Sequence, residues 1–160
     1  MDGEPKEIAL EICRRAYQLQ MQGELDAAID LYRQSIAVCP TAEAHTFLGW
    51  TYRFQGRLDE AIAECRRAIE VDPTFGNPYN DIGAYLIELG RPTEAIPWLE
   101  QATRAARYEN YHFPWHNLGR VYFAQQLYNL ARDCFRHALE IEPGYEPALE
   151  ALARVKRLIQ

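Results

Sequence analysis

The 160-residue chain holds no apolar run near the roughly 18 residues a membrane-spanning helix needs, so bilayer insertion is not expected. Basic charge is scarce. Seventeen Lys and Arg face 23 Asp and Glu, for a net charge of −6. Phosphate recognition wants a basic face, which argues against nucleic acid or an anionic membrane as the main partner. The acid excess is uneven: residues 1–110 carry 18 acids against 11 bases, and residues 111–160 carry 5 against 6. Any preference for an anionic ligand should therefore sit toward the C-terminal end. Cysteine is sparse too. Cys13, Cys39, Cys65 and Cys134 form no C-x-x-C pair, so neither a zinc site nor a dithiol redox motif is indicated, and no metal or cofactor is expected. The opening MDGEPKEIAL is acidic and lacks the basic-then-apolar order of a signal peptide, so the expectation is a cytoplasmic protein with free thiols.

Catalytic signatures are missing as well. There is no Gly-rich phosphate loop, no H-E-x-x-H and no nucleophile elbow. His45, His112, His116 and His137 lie in four different contexts, and no motif places a Ser or Cys beside one. The chain is read as a non-enzyme with no catalytic residues. It is nevertheless a folded protein by composition, with 48% hydrophobic and 25% charged residues.

What is present is repetition. Gly49, Gly83 and Gly119 each follow Leu or Ile and stand 34 and 36 residues apart. A column of alanines lies 12 residues after each glycine, at Ala61, Ala95 and Ala131. Cys65, Leu99 and Phe135 follow four residues later, and then Ala68, Ala102 and Ala138. Each unit contains two segments whose apolar positions recur at three and four, the spacing of one helical face. A glycine inside a helix costs about 0.5–1 kcal/mol against alanine, and is tolerated here because it lets a partner helix come close. Gly23, Gly56 and Gly90 mark the turns within units, and Pro40, Pro73 and Pro143 close them. The expected helices are 6–21, 24–38, 42–55, 58–71, 77–89, 92–107, 113–125 and 128–141, with Pro97 bending the sixth. A ninth helix over about 145–158 should cover the last unit with Leu149, Leu152, Val155 and Ile159, turning Glu150, Arg154 and Arg157 outward.

The fourth unit, with Trp115, Leu118, Gly119, Tyr122, Ala131, Phe135 and Pro143, resembles the tetratricopeptide repeat (TPR) residue for residue. The second keeps Leu48, Gly49, Tyr52, Ala61, Ala68 and Pro73, with His45 at the usual aromatic position, where it is read as a structural residue. The first matches at Ile12, Ala16, Leu19, Gly23, Ala28, Tyr32 and Pro40, and the third carries two extra residues within Arg107–His112. The resemblance spans about residues 7–143. It implies an all-α fold, a right-handed α-solenoid of antiparallel helix pairs, as one domain over 1–160 with repeats at about 9–41, 42–75, 76–111 and 112–145 and a capping helix.

In that family the first helix of each unit lines a concave groove. The groove positions so implied are Cys13, Arg14, Tyr17 and Met21, then Glu43, Thr46, Phe47, Trp50 and Phe54. They continue with Asn77, Asn80, Asp81, Ala84 and Glu88, and end with Phe113, His116, Asn117, Arg120 and Ala124. Tyr17, Phe47, Trp50 and Phe54 give an aromatic first half, suited either to anchoring a peptide or to padding helix contacts. Asn77, Asn80, Asp81, His116, Asn117 and Arg120, beside Phe113, make the second half polar; its amides suit an extended backbone and Arg120 suits a carboxylate, or the face is merely solvated. The clamp with which some family members hold acidic chaperone C-termini is absent, since its opening lysine and asparagine fall on Cys13 and Tyr17, or on Thr46 and Trp50. The implied function is an adaptor or scaffold that binds a protein or peptide segment in the groove. The alternatives are a self-associating scaffold and a regulatory or substrate-recruiting subunit for an enzyme on another chain. A monomer is expected, with a homodimer possible through the N-terminal edge, where Ile8, Ile12 and Leu19 lack a preceding repeat.

Overall fold

The computed structural model of the chain describes residues 4–159. Among these residues there are nine α-helices and no β-strand. They are α1 (Glu4–Met21), α2 (Leu25–Val38), α3 (Ala42–Phe54), α4 (Leu58–Val71), α5 (Asn77–Glu88), α6 (Pro92–Arg104), α7 (His112–Ala124), α8 (Tyr128–Ile141) and α9 (Glu146–Ile159). The chain forms two compact units, Met1–Asp81 and Ile82–Gln160, whose boundary falls inside α5.

The turns inside the repeats share one hydrogen-bonded form. Gly23 N–H donates to Gln20 O and Glu24 N–H to Leu19 O; the same pair of bonds recurs at Gly56 and Arg57, at Gly90 and Arg91, and at Gln126 and Leu127. This double closure is the Schellman motif, which needs a left-handed residue just after the helix. Three turns supply glycine, at φ of 81°, 75° and 77°, and the fourth forces Gln126 to φ 63°. A side chain in that region costs roughly 1 kcal/mol. Gln126→Gly is therefore expected to raise stability by about 0.5–1 kcal/mol, less any entropy the glycine adds to the unfolded chain. A urea midpoint that does not rise contradicts this.

In the first unit, α1 packs on α2 and α3, α2 on α3, and α3 on α4. Ala9, Ala16, Ala28 and Tyr32 are fully buried there. Their polar neighbours are mostly bonded: Ser35 Oγ donates to Ala9 O at 2.6 Å, and the Tyr32 hydroxyl to Gln20 Oε1 at 2.6 Å. His45 is buried as a structural residue, its Nδ1 2.7 Å from Glu64 Oε2, and Glu64 also takes Arg67. A buried histidine facing a carboxylate satisfies two groups that would each be costly alone. The α3 N-terminus is capped by Thr41, whose Oγ1 accepts from Ala44 N–H at 3.1 Å.

In the second unit, α6 packs on α7, α7 on α8 and α9, and α8 on α9. The alanine columns of the sequence are fully buried in each unit, at Ala61 and Ala68 in the first and at Ala95, Ala102, Ala131 and Ala138 in the second. Helix α6 runs continuously through Pro97 but stops at Arg104, short of the expected 107, because Ala105 turns extended with ψ 138°. The extra residues form a loop in which the Tyr111 hydroxyl donates to Ala105 O and the Tyr108 and Tyr111 rings meet edge-on at 5.3 Å. Helix α9 covers Ala131 and Phe135 with Val155, Ala151, Leu152 and Ile159. Leu149, expected to face inward, is 41% exposed. Ala148 holds the inner position instead, at 0% exposure.

Candidate partner-binding site

Tyr17 on α1 and Phe47 on α3 meet with ring centroids 5.4 Å apart, and Phe47 also reaches Tyr32 on α2 at 6.3 Å. Phe47 thus touches rings on two other helices. Trp50 and Phe54 lie one turn apart on α3 with centroids at 5.5 Å, and the Arg53 guanidinium sits 5.6 Å from the Phe54 ring. Tyr17 remains 37% exposed and Phe54 48%. A cavity of about 300 Å³ opens beside Tyr17 and Phe47, lined also by Leu10, Cys13, Arg14 and Glu43. Thr46 does not belong to this surface; it is buried and bonds back to Ala42 O at 2.7 Å.

The residues expected to make a polar surface are less open than their chemistry suggests. Asn80, His116 and Asn117 are buried, Asn77 and Asp81 are half-buried like the neighbouring groove residue Phe113, and Arg120 alone of the six polar residues is exposed. Asp81, crowded by protein despite its partly open surface, has its carboxyl pushed up to about 7 by burial, against the hydrogen bond from Asn80 and the charge of Arg53. His116 is driven down to about 4 by burial, then by Arg120 and His112, and its Nδ1 is buried without a hydrogen-bond partner. Asn117 Oδ1 accepts from Arg120 at 3.0 Å, so the buried amide orients the exposed guanidinium.

Tyr145, missed in the sequence, organises this part of the second unit. Its ring lies 4.9 Å from His112, 5.7 Å from Phe113 and 5.4 Å edge-on to His116. The available signal was an aromatic directly after Pro143-Gly144 and before the capping helix.

The three buried thiols are poor nucleophiles. Burial pushes Cys13 and Cys134 up to about 11 and Cys65 well above the ordinary thiol range, so each stays protonated near neutrality. Among the described residues no three His, Cys, Asp or Glu side chains are placed to hold a metal, and no helix is long and apolar enough to cross a membrane.

With this geometry established, comparison with known proteins fixes the class. Tetratricopeptide-repeat models match residues 16–37, 42–75, 79–107 and 112–145. The chain belongs to the tetratricopeptide-repeat family and has its all-α helical-repeat solenoid fold. No curated protein matches it in sequence. Among solved structures it is similar to one from a functional characterisation of Pseudomonas aeruginosa pilF, at TM-score 0.89 and 21% identity over 95% of this chain and 69% of that one. It is also similar to YrrB, described as a TPR protein with an unusual peptide-binding site, at TM-score 0.71 and 21% identity over 94% and 77%. A third is the first TPR of Spaghetti (RPAP3) bound to the HSP90 peptide SRMEEVD, at TM-score 0.69 and 22% identity over 74% and 93%. These likenesses concern the fold.

Proposed function

We propose that the chain is a non-enzymatic adaptor that captures a segment of a partner protein on the surface of its first helices. The observation that carries this reading is the α1–α3 aromatic stripe. Tyr17 and Phe54 stay exposed although each touches another ring, and a cavity of about 300 Å³ lies alongside. Large rigid rings left in water beside a cavity are the usual anchors of protein recognition, because they bury much apolar area at little entropy cost. Support of a coarser kind comes from family membership and from the peptides or peptide-binding site named for two of the structural neighbours.

In this reading Tyr17, Phe47, Trp50 and Phe54 receive apolar side chains of the partner. Asn77, Asp81 and Arg120 contribute polar contacts and Phe113 a ring face, while the buried Asn80, His116 and Asn117 hold their neighbours in place. The double variant Trp50→Ala/Phe54→Ala should reduce recovery of crosslinked partners at least tenfold in affinity purification with mass spectrometry, with helical circular dichroism unchanged. Recovery equal to that of the unmodified chain overturns the reading. Self-association is a second reading, favoured by the 51% and 52% exposure of Ile8 and Met21 on α1. Light scattering over a concentration series decides it, and a constant monomer mass rules it out.

A further inference from the structure

The second unit carries a second cavity, of about 400 Å³, lined by Arg120, Phe123 and Ala124 from α7, Phe135 from α8, and Ala151 and Arg154 from α9. Four of these six residues are apolar, and α7 and α9 each add one arginine. Arg154, exposed as expected, lays its guanidinium 4.9 Å from the Phe123 ring centroid. Arg120 is held by Asn117 Oδ1 at 3.0 Å. Neither arginine has a carboxylate partner among the described residues, whereas Arg14, Arg57, Arg67, Arg91 and Arg132 each pair with a nearby acid.

We infer that this cavity binds a partner segment in which one large apolar residue is flanked on both sides by Asp or Glu. The volume lies within the 300–1,000 Å³ range of binding pockets and holds an aromatic or leucine side chain. The charge argument is specific. A guanidinium fork is built for bidentate pairing with a carboxylate, and both forks are already oriented, Arg120 by an amide and Arg154 by a ring face. Because α7 and α9 each bring one guanidinium to the same apolar cavity, the matching ligand joins one apolar anchor to a negative group on either side. The local charge balance agrees, since residues 111–160 lack the acid excess of the rest of the chain. The placement rests on the adaptor reading but uses a surface distinct from the α1–α3 stripe.

The test uses the full purified chain and a fluorescein-labelled heptapeptide with Glu-Phe-Glu at its centre and both ends blocked. Nuclear magnetic resonance titration should give saturable shifts confined to the amides around Arg120, Phe123, Ala151 and Arg154. Arg154→Gln and Arg120→Gln, both surface changes, should each weaken binding about tenfold, as should a Gln-Phe-Gln or Glu-Ala-Glu centre. Trp50→Ala/Phe54→Ala should bind this probe normally, so loss of partner recovery in that variant with probe binding intact separates the two sites. Absence of saturable shifts overturns the inference. Equal binding of the Gln-Phe-Gln probe overturns it too, as does tighter binding of a probe whose only carboxylate is its free C-terminus.

Discussion

Gly119→Ala is expected to destabilise the protein by about 2 kcal/mol, although it replaces glycine with the best helix former. Propensity alone predicts a gain of about 1 kcal/mol at a mid-helix position. Sterics reverse the sign. A Cβ on Gly119 would stand 2.3, 2.6 and 2.8 Å from Cε1, Cδ1 and Cζ of Phe135, distances that real Cβ atoms do not adopt. The ring cannot retreat, because Phe135 is 1% exposed and packed with Ala131 and Val155. Forcing a methyl into such a core costs typically 1–3 kcal/mol or somewhat more through displaced rotamers and backbone. Phe135→Ala should itself cost about 4 kcal/mol through lost burial and a cavity. The decisive measurement is the double variant Gly119→Ala/Phe135→Leu. If the clash is the cause, the two changes together should cost less than the sum of the single variants by at least 1 kcal/mol in urea titrations. Strict additivity would show that the ring is not what excludes the methyl.

That contact explains why the fold was legible. Gly49, Gly83 and Gly119 stand 16 residues before Cys65, Leu99 and Phe135, and in each case the glycine faces that residue. At Gly49 the nearest atom is the backbone carbonyl of Ala61, at 2.9 Å, and at Gly83 it is Leu99 Cδ2, at 2.3 Å. One rule, the close crossing of two helices, writes itself into glycine, alanine and a fixed spacing. Helix turns are marked locally where glycine stands in them, whereas at Gln126, which does the same work under strain, only the repeat pattern places the turn. The candidate site was less legible, because its features arise from burial rather than from periodicity. Asn80, His116 and Asn117 look like a wet polar face in sequence, yet the structure buries them. Arg154 reads as an outward charge on a capping helix, and its approach to Phe123 depends on a contact between α7 and α9 that no local pattern encodes.

Asp81→Asn should stabilise the protein at pH 8 by about 2 kcal/mol and leave it nearly unchanged at pH 4. The folded carboxyl titrates at about 7, raised mainly by burial, whereas an unfolded Asp titrates near 3.9. Between those values the folded state holds a proton that the unfolded state has released, so this group's contribution to stability falls as pH rises from about 4 to 7. Below that window both states are protonated, and above it both are charged with the burial penalty in full. Each pH unit of such a gap is worth ~1.36 kcal/mol, for a ceiling of about 4 kcal/mol, and access of water to the half-open side chain reduces it. Asparagine keeps the shape and a hydrogen-bonding partner for Asn80 while removing the charge. His116, lowered to about 4, loses stability for the protein as pH falls below about 6.5. It titrates alike in both proteins, so the difference between them isolates Asp81. Urea midpoints at pH 4, 6 and 8 read the effect. A gain that is the same at all three pH values would mean that Asp81 is charged in the folded protein throughout and that its burial costs little.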